Sequence, residues 1–230
     1  FADRACMAAN TTADPELRAL GHRRLGLALE HFGMLRQGTE AHEIFLELAE
    51  GIPTLQSAEG QLKEGDVSEG RRHLVQVYLR HAEELMGIHD DVSEAKRRRQ
   101  MEEQEAPAMD DEPDKLLTPR SQVDGLDPQV RMNTQGAIDV LRRCLMVAEA
   151  CQDWPSVMRC RLMLGRGSLI LHELDGSREH YEALLAVSCR ADVADTTHEG
   201  HALSGLSTVY ERTGQLDRSV EFLQRFYDIS

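Results

Sequence analysis

LSGLSTVYERTGQLDRSVEFLQRF runs from Leu203 to Phe226 and carries two short apolar stripes. Leu203, Leu206, Tyr210, Leu216, Val220, Leu223 and Phe226 recur at intervals of three, four or six, and Gly214 stands between the two runs. That spacing predicts two amphipathic helices joined by a tight turn, each too narrow to bury its stripe alone. The unit therefore needs neighbours of its own kind. One lies upstream: Leu206-Ser207, Ser219, Leu223 and Phe226 fall on Leu164-Gly165, Ser177, Tyr181 and Leu184 at a constant offset of about 40 residues, a period of helical solenoid repeats.

About one period earlier, Ala137, Leu141 and Cys144-Leu145 repeat the second-helix half of the pattern. Near the start, Leu25-Gly26, Leu29, Gly33, His42 and Phe45-Leu46 repeat it again, with Gly33 at the turn. These residues resemble the tetratricopeptide repeat, in which a Leu-Gly or similar pair in the first helix is followed by a Tyr or Leu and a turn Gly. A Gly or Ser inside the first helix lets its partner approach closely, and a large side chain fills the space beside it. Leu164-Gly165, Leu206-Ser207 with Tyr210 and Gly214, and Leu25-Gly26 with Leu29 and Gly33 carry the resemblance. Departures are present: Ser168 replaces the Tyr of the middle repeat, Gly38 and Ser177 replace the usual Ala, and the terminal Pro is missing. The expected architecture is an all-α, tetratricopeptide-like solenoid of helical hairpins, wound as a right-handed superhelix and interrupted by a charged, Pro-containing segment. The repeat packing is expected to rest on Leu25, Gly26, Gly33, Leu164, Gly165, Tyr181, Leu206, Tyr210, Gly214 and Leu223.

Composition agrees. Of 230 residues, 41% are hydrophobic and only 4% aromatic, so the core must be aliphatic. A formal net charge of −14 repels phosphate backbones and anionic lipid, which makes nucleic acid and membrane surfaces poor partners. No apolar run approaches the roughly 20 residues needed to cross a bilayer. Cys6, Cys144, Cys151, Cys160 and Cys189 form an odd set with no close-paired spacing. Reduced thiols in an intracellular protein explain them better than a disulfide framework, and the resemblance implies a cytoplasmic or cytoskeletal setting.

Along the chain, Asp14-Pro15 reads as a helix start, followed by Leu17, Leu20, Leu25 and Leu29 on one face. Gly33 and Gly38 bracket the turn, and a second helix from about Thr39 to Glu50 is expected to bury Ile44, Phe45 and Leu48. Between Thr54 and Gly65 a short or irregular helix is expected; Asp66 or Ser68 then caps a segment with Leu74, Val77, Tyr78, His81 and Leu85 in helical register. Lys96-Arg97-Arg98-Arg99 is followed at once by acidic residues and reads as a solvated, internally paired helix face. From Glu102 to Pro128, acidic residues and recurring prolines predict a linker or insertion between a block at 1–101 and another at 129–230. Lys115-Leu116-Leu117 within it is either a docking point or an island that packs back. After Pro128 the pattern resumes with Val130, Ile138, Leu141, Leu145 and Val147, and Trp154 is read as a plug at a repeat junction. The apolar last helix, with no polar cap after Phe226 and Tyr227, leads us to expect further repeats or a covering partner.

Catalytic signals are weak. His198-Glu199-Gly200-His201 has the residue types of a zinc-protease motif, but its histidines are three apart rather than four. Gly165-Arg166-Gly167 matches no phosphate-loop pattern, and Cys144, Cys160 and Cys189 sit where small core residues belong. No catalytic residue, metal site or cofactor is expected. In tetratricopeptide arrays the first helices line a concave binding face, and the resemblance places there Arg159, Leu162, Arg166 and Leu169, then His201, Ser204, Thr208, Glu211 and Arg212. Arg159 and Arg166 would suit the carboxylates of an acidic or helical partner segment. The last hundred residues are similar to ciliary proteins of this superfamily that associate with axonemal dynein arms, which implies a structural or tethering role on the axoneme. The same spacing serves cargo adaptors of cytoplasmic motors and spindle-orientation adaptors; the competing class is a metal-dependent hydrolase built on the His198 region.

Overall fold

A computed structural model describes residues 14–52, 64–87 and 126–229. Among them are eight helices and no strand: α1 (Pro15–His31), α2 (Leu35–Glu50), α3 (Glu64–Met86), α4 (Pro128–Ala150), α5 (Trp154–Ile170), α6 (Leu174–Ser188), α7 (Thr196–Arg212) and α8 (Leu216–Ile229). Consecutive helices pack as hairpins, α1 on α2, α3 on α4, α5 on α6 and α7 on α8. Each second helix also packs on the next first helix, and α3, α5 and α7 touch in turn. This is the all-α hairpin array expected from the repeat pattern.

Local chemistry sets the ends. Asp14, Asp127, Asp153 and Asp195 cap α1, α4, α5 and α7, each carboxylate accepting a backbone N–H of the first turn, and prolines open the first three of these helices. Inside the first, third and fourth hairpins the chain turns through one residue in the left-handed region: Gly33 at φ 72°, His172 at φ 61° and Gly214 at φ 76°. All three turns close identically, with Met34 N–H, Glu173 N–H and Gln215 N–H donating to the carbonyls of Leu29, Ser168 and Tyr210. Glycine is the residue this conformation favours, so His172 holds it at a cost.

The hairpins close through small residues. A Cβ on Gly26 would lie 2.6 Å from the His42 ring, and one on Gly165 2.9 Å from the Tyr181 ring. The Ser177 hydroxyl donates to Gly165 O at 2.9 Å, and Ser207 and Ser219 hydroxyls meet at 2.9 Å. The same packing joins successive hairpins: a Cβ on Gly70 would meet Phe45 at 2.5 Å, on Gly167 would meet Ile138 at 3.2 Å, and on Gly205 would meet Tyr181 at 2.5 Å. One apolar core runs from Ala19 and Phe45 through Leu74, Ile138 and Leu141 to Leu164; a second joins Met158 and Tyr181 to Leu206 and Tyr210.

Several expectations need correction. Leu17, Ile44 and Val130 are exposed, while Ala19, His22, Ala41 and His42 fill the buried faces of α1 and α2. Gly38 lies within α2, with Gly26 O 3.5 Å from where its Cβ would be, rather than in the turn. α3 already runs from Glu64, so neither Asp66 nor Ser68 caps it; Asp66 instead pairs with Arg23. Trp154, by contrast, stands at the expected junction as the first residue of α5, half-buried against the core beneath the Arg190 guanidinium, which lies 4.2 Å from its ring centre. Cys189 is exposed at the end of α6 and fills no core position. Of the repeat-packing residues, Leu25, Leu164, Tyr181, Leu206 and Tyr210 are buried, whereas Leu223 on the last helix remains 39% exposed.

The readings of residues 88–125, including the basic run and Lys115-Leu116-Leu117, lie outside the described residues. So do most of the stretch at 54–65 and Cys6. The helices that flank 88–125, α3 and α4, are the two halves of one hairpin, and a single core crosses from 74 to 141.

Candidate binding face

The first helices α1, α3, α5 and α7 are stitched by polar side chains across every step. Arg23 reaches from α1 to Asp66 at 3.2 Å and Glu69 at 3.1 Å on α3. Glu30 on α1 takes His73 at 2.8 Å and Arg80 from α3. Gln76 donates to Ser156 Oγ at 3.3 Å on α5, and Glu83 pairs with Arg159. Arg212 on α7 donates back to Leu169 O on α5 at 3.2 Å. These groups line one side because the other sides of the first helices carry the apolar stripe, so residues left at i, i+3, i+4 and i+7 fall together.

The expected binding residues divide on this frame. Arg159, Arg166, His201, Ser204, Glu211 and Arg212 are exposed, and Leu169 and Thr208 are half-buried. Leu162 is 9% exposed and belongs to the second core, so it supports the face from beneath. Arg159 is occupied by Glu83, whereas Arg166 makes no ion pair among the described residues. Arg166 lies near His201: partial desolvation, then the Arg166 charge, holds His201 below the ordinary histidine range. His201 and Ser204 also line a cavity of about 370 Å³ with Thr196, Gly200, Phe226 and Ile229. Of the expected arginines, Arg159 is thus taken up by Glu83, whereas Arg166 and Arg212 make no ion pair among the described residues.

A second cavity of about 360 Å³ opens between α1 and α3, lined by Arg23, Leu27, His42, Glu69, Arg72 and His73. Beneath it Glu30 Oε1 meets His42 Nε2 at 2.6 Å and His73 Nε2 at 2.8 Å. The hydrogen bonds from His73 and His42 outweigh burial and lower the Glu30 pKa, while burial outweighs Glu30 and lowers that of His42. Sequence reasoning missed this cluster. Its members stand 12 and 43 positions apart and converge only through packing of three helices, although the polar complement of Leu74, Val77 and Tyr78 on α3 does point to His73, Gln76 and Arg80.

The other chemical motifs are structural. His198 Nδ1 pairs with Asp195 Oδ2 at 2.9 Å, and Asp195 also accepts the His198 N–H, so His198 completes the cap of α7. Gly165-Arg166-Gly167 lies in mid-helix under Tyr181 and Ile138. Cys144 and Cys160 are buried with sulfurs 3.3 Å apart; the hydrogen bond shared with Cys160, then burial, pushes the Cys144 thiol far up, the opposite of an activated nucleophile. Among the described residues no helix is long and apolar enough to cross a membrane.

No protein-family model and no curated protein matches the chain. Among solved structures it is similar to BtubC (BKLC) from P. vanneervenii, at 13% identity and TM-score 0.43, covering 99% of this chain and 70% of that one. It is also similar to a Podosopora anserina putative kinesin light chain with nearly identical TPR-like repeats, at 13% identity and TM-score 0.42, covering 98% and 81%. Both values are too low for these likenesses to add to the repeat packing already described.

Proposed function

We propose that this chain is a non-enzymatic scaffold that holds a segment of another protein along its first-helix face. The observation that carries the reading is the line of exposed polar side chains on α3, α5 and α7. In it Arg166 has no carboxylate partner among the described residues, although the chain as a whole is strongly acidic. A guanidinium in that position is suited to an acidic or helical segment, and electrostatic complementarity would set its register. Rigid hairpins held by close glycine contacts present such a face with little ordering cost on binding.

The finer reading, a tethering subunit of an axonemal dynein assembly, rests on the resemblance of the last hundred residues alone. Purification of the native protein with identification of its stoichiometric companions tests both levels. Dynein subunits among them support the finer reading, another constant companion supports only the scaffold, and a chain that purifies alone under mild conditions overturns the proposal.

A further inference from the structure

We infer that Glu30, His42 and His73 form a binding site for a single divalent transition-metal ion, with zinc as the ion its chemistry fits. The three residues come from α1, α2 and α3, and one ligand atom of each lies within 4.8 Å of the other two. Two imidazole nitrogens and one carboxylate oxygen are a donor set that binds Zn²⁺ while leaving a fourth position open. Both Nε2 atoms address the same oxygen, Glu30 Oε1, at 2.6 and 2.8 Å, so the three ligand atoms are already gathered in one place. The two imidazoles meet edge to face with centres 4.9 Å apart.

Supports for the ligands are already in place. His42 is 1% exposed and its ring is pressed against Gly26, where a Cβ would come within 2.6 Å, so its direction is set by packing. Arg80 holds the other oxygen of Glu30 and orients the carboxylate without occupying Oε1. His73 is more exposed and borders the cavity of about 360 Å³, from which water or an anionic group can supply the fourth ligand. Arg23, which lines the same cavity, is balanced by Asp66 and Glu69. Metal–ligand bonds of about 2.0–2.2 Å in a tetrahedron separate the donors by roughly 3.4 Å. Entry of the ion therefore asks the Glu30 carboxylate and the half-exposed His73 to draw apart from each other and from the packed His42 by about 0.6–0.8 Å.

The test is titration of the full chain, first stripped with a chelator, with Zn²⁺ against a chromophoric competitor, and with Co²⁺ to read the visible band of a tetrahedral site. One equivalent of tight binding is expected. His73→Ala, at a side chain exposed enough to leave the fold intact by circular dichroism, is expected to weaken it at least tenfold, and Glu30→Gln likewise. Absence of stoichiometric Zn²⁺ binding by the unaltered chain overturns the inference, as does unchanged affinity in a folded His73→Ala variant, which would place the ion elsewhere.

Discussion

Tyr181 lies between two glycines of different repeats, Gly165 of its own hairpin and Gly205 of the next, and no Cβ fits at Gly205 beyond 2.5 Å from its ring. The ring thus serves as both the closure of one hairpin and the joint to its successor. Gly205→Ala is expected to destabilise the protein by about 1–3 kcal/mol through overpacking. Gly176→Ala, where the nearest contact is 3.6 Å away, serves as the control. Chemical denaturation of the two variants compares them directly, and equal midpoints would remove Tyr181 from its role as a joint.

His172 occupies the left-handed turn position that Gly33 and Gly214 fill in the first and last hairpins. His172→Gly should raise stability by up to about 1 kcal/mol, because relief of the strained φ exceeds the added freedom of the unfolded chain. A thermal midpoint that falls would show that the His172 side chain contributes more than its backbone costs.

Ser207 and Ser219 share a buried hydroxyl pair. Replacing Ser219 by Ala leaves the other hydroxyl without that partner, at a cost of about 1–3 kcal/mol, whereas the double Ser→Ala variant should recover much of the loss. The coupling energy from a double-mutant cycle measures this, and additive losses would contradict it.

His81 is buried on α3, and its Nδ1 has no partner among the described residues. Burial lowers its pKa, with Glu84 and Glu40 opposing and Arg143 and Arg36 adding to the effect. An unfolded histidine titrates near about 6.5, so below that value the unfolded chain binds the proton that the folded chain resists. The stability due to neutral His81 is complete above about pH 6.5 and is lost as pH falls through the lowered folded value. Urea midpoints between about pH 8 and pH 5 should decline, and His81→Leu should remove up to one proton from the slope. An unaltered slope would refute the assignment.

Arg166→Glu with Arg212→Glu should lower stability by no more than about 1 kcal/mol, since both side chains are exposed and only the Arg212 hydrogen bond to Leu169 O is lost. The same pair should weaken capture of the native companion at least tenfold by reversing the sign of the face. Arg159→Ala should do less, because Arg159 is already paired with Glu83. Surface-plasmon affinities would order the double variant, Arg159→Ala and the unaltered chain, and equal affinities would sink the assignment of the face.

The residues themselves determined the helical class, the pairing of α1 with α2, α5 with α6 and α7 with α8, and the close approach at Gly26, Gly165 and Ser207, because a period of 3.6 and a recurring small residue are local properties of the chain; the pairing of α3 with α4 across the intervening segment came only with the tertiary structure. The turn at Gly214 and the cap at Asp14 were legible for the same reason: each acts on backbone groups a few positions away. Only the tertiary structure decided which polar residues are free. Arg159 looks like Arg166 in sequence and differs because Glu83, 76 positions earlier, lies beside it on α3. Leu162 belongs beneath the face for a similar reason, since the neighbouring repeat covers it. The convergence of Glu30, His42 and His73 likewise depends on the packing of three helices, and a contact between distant turns of a solenoid leaves no periodic trace in the chain.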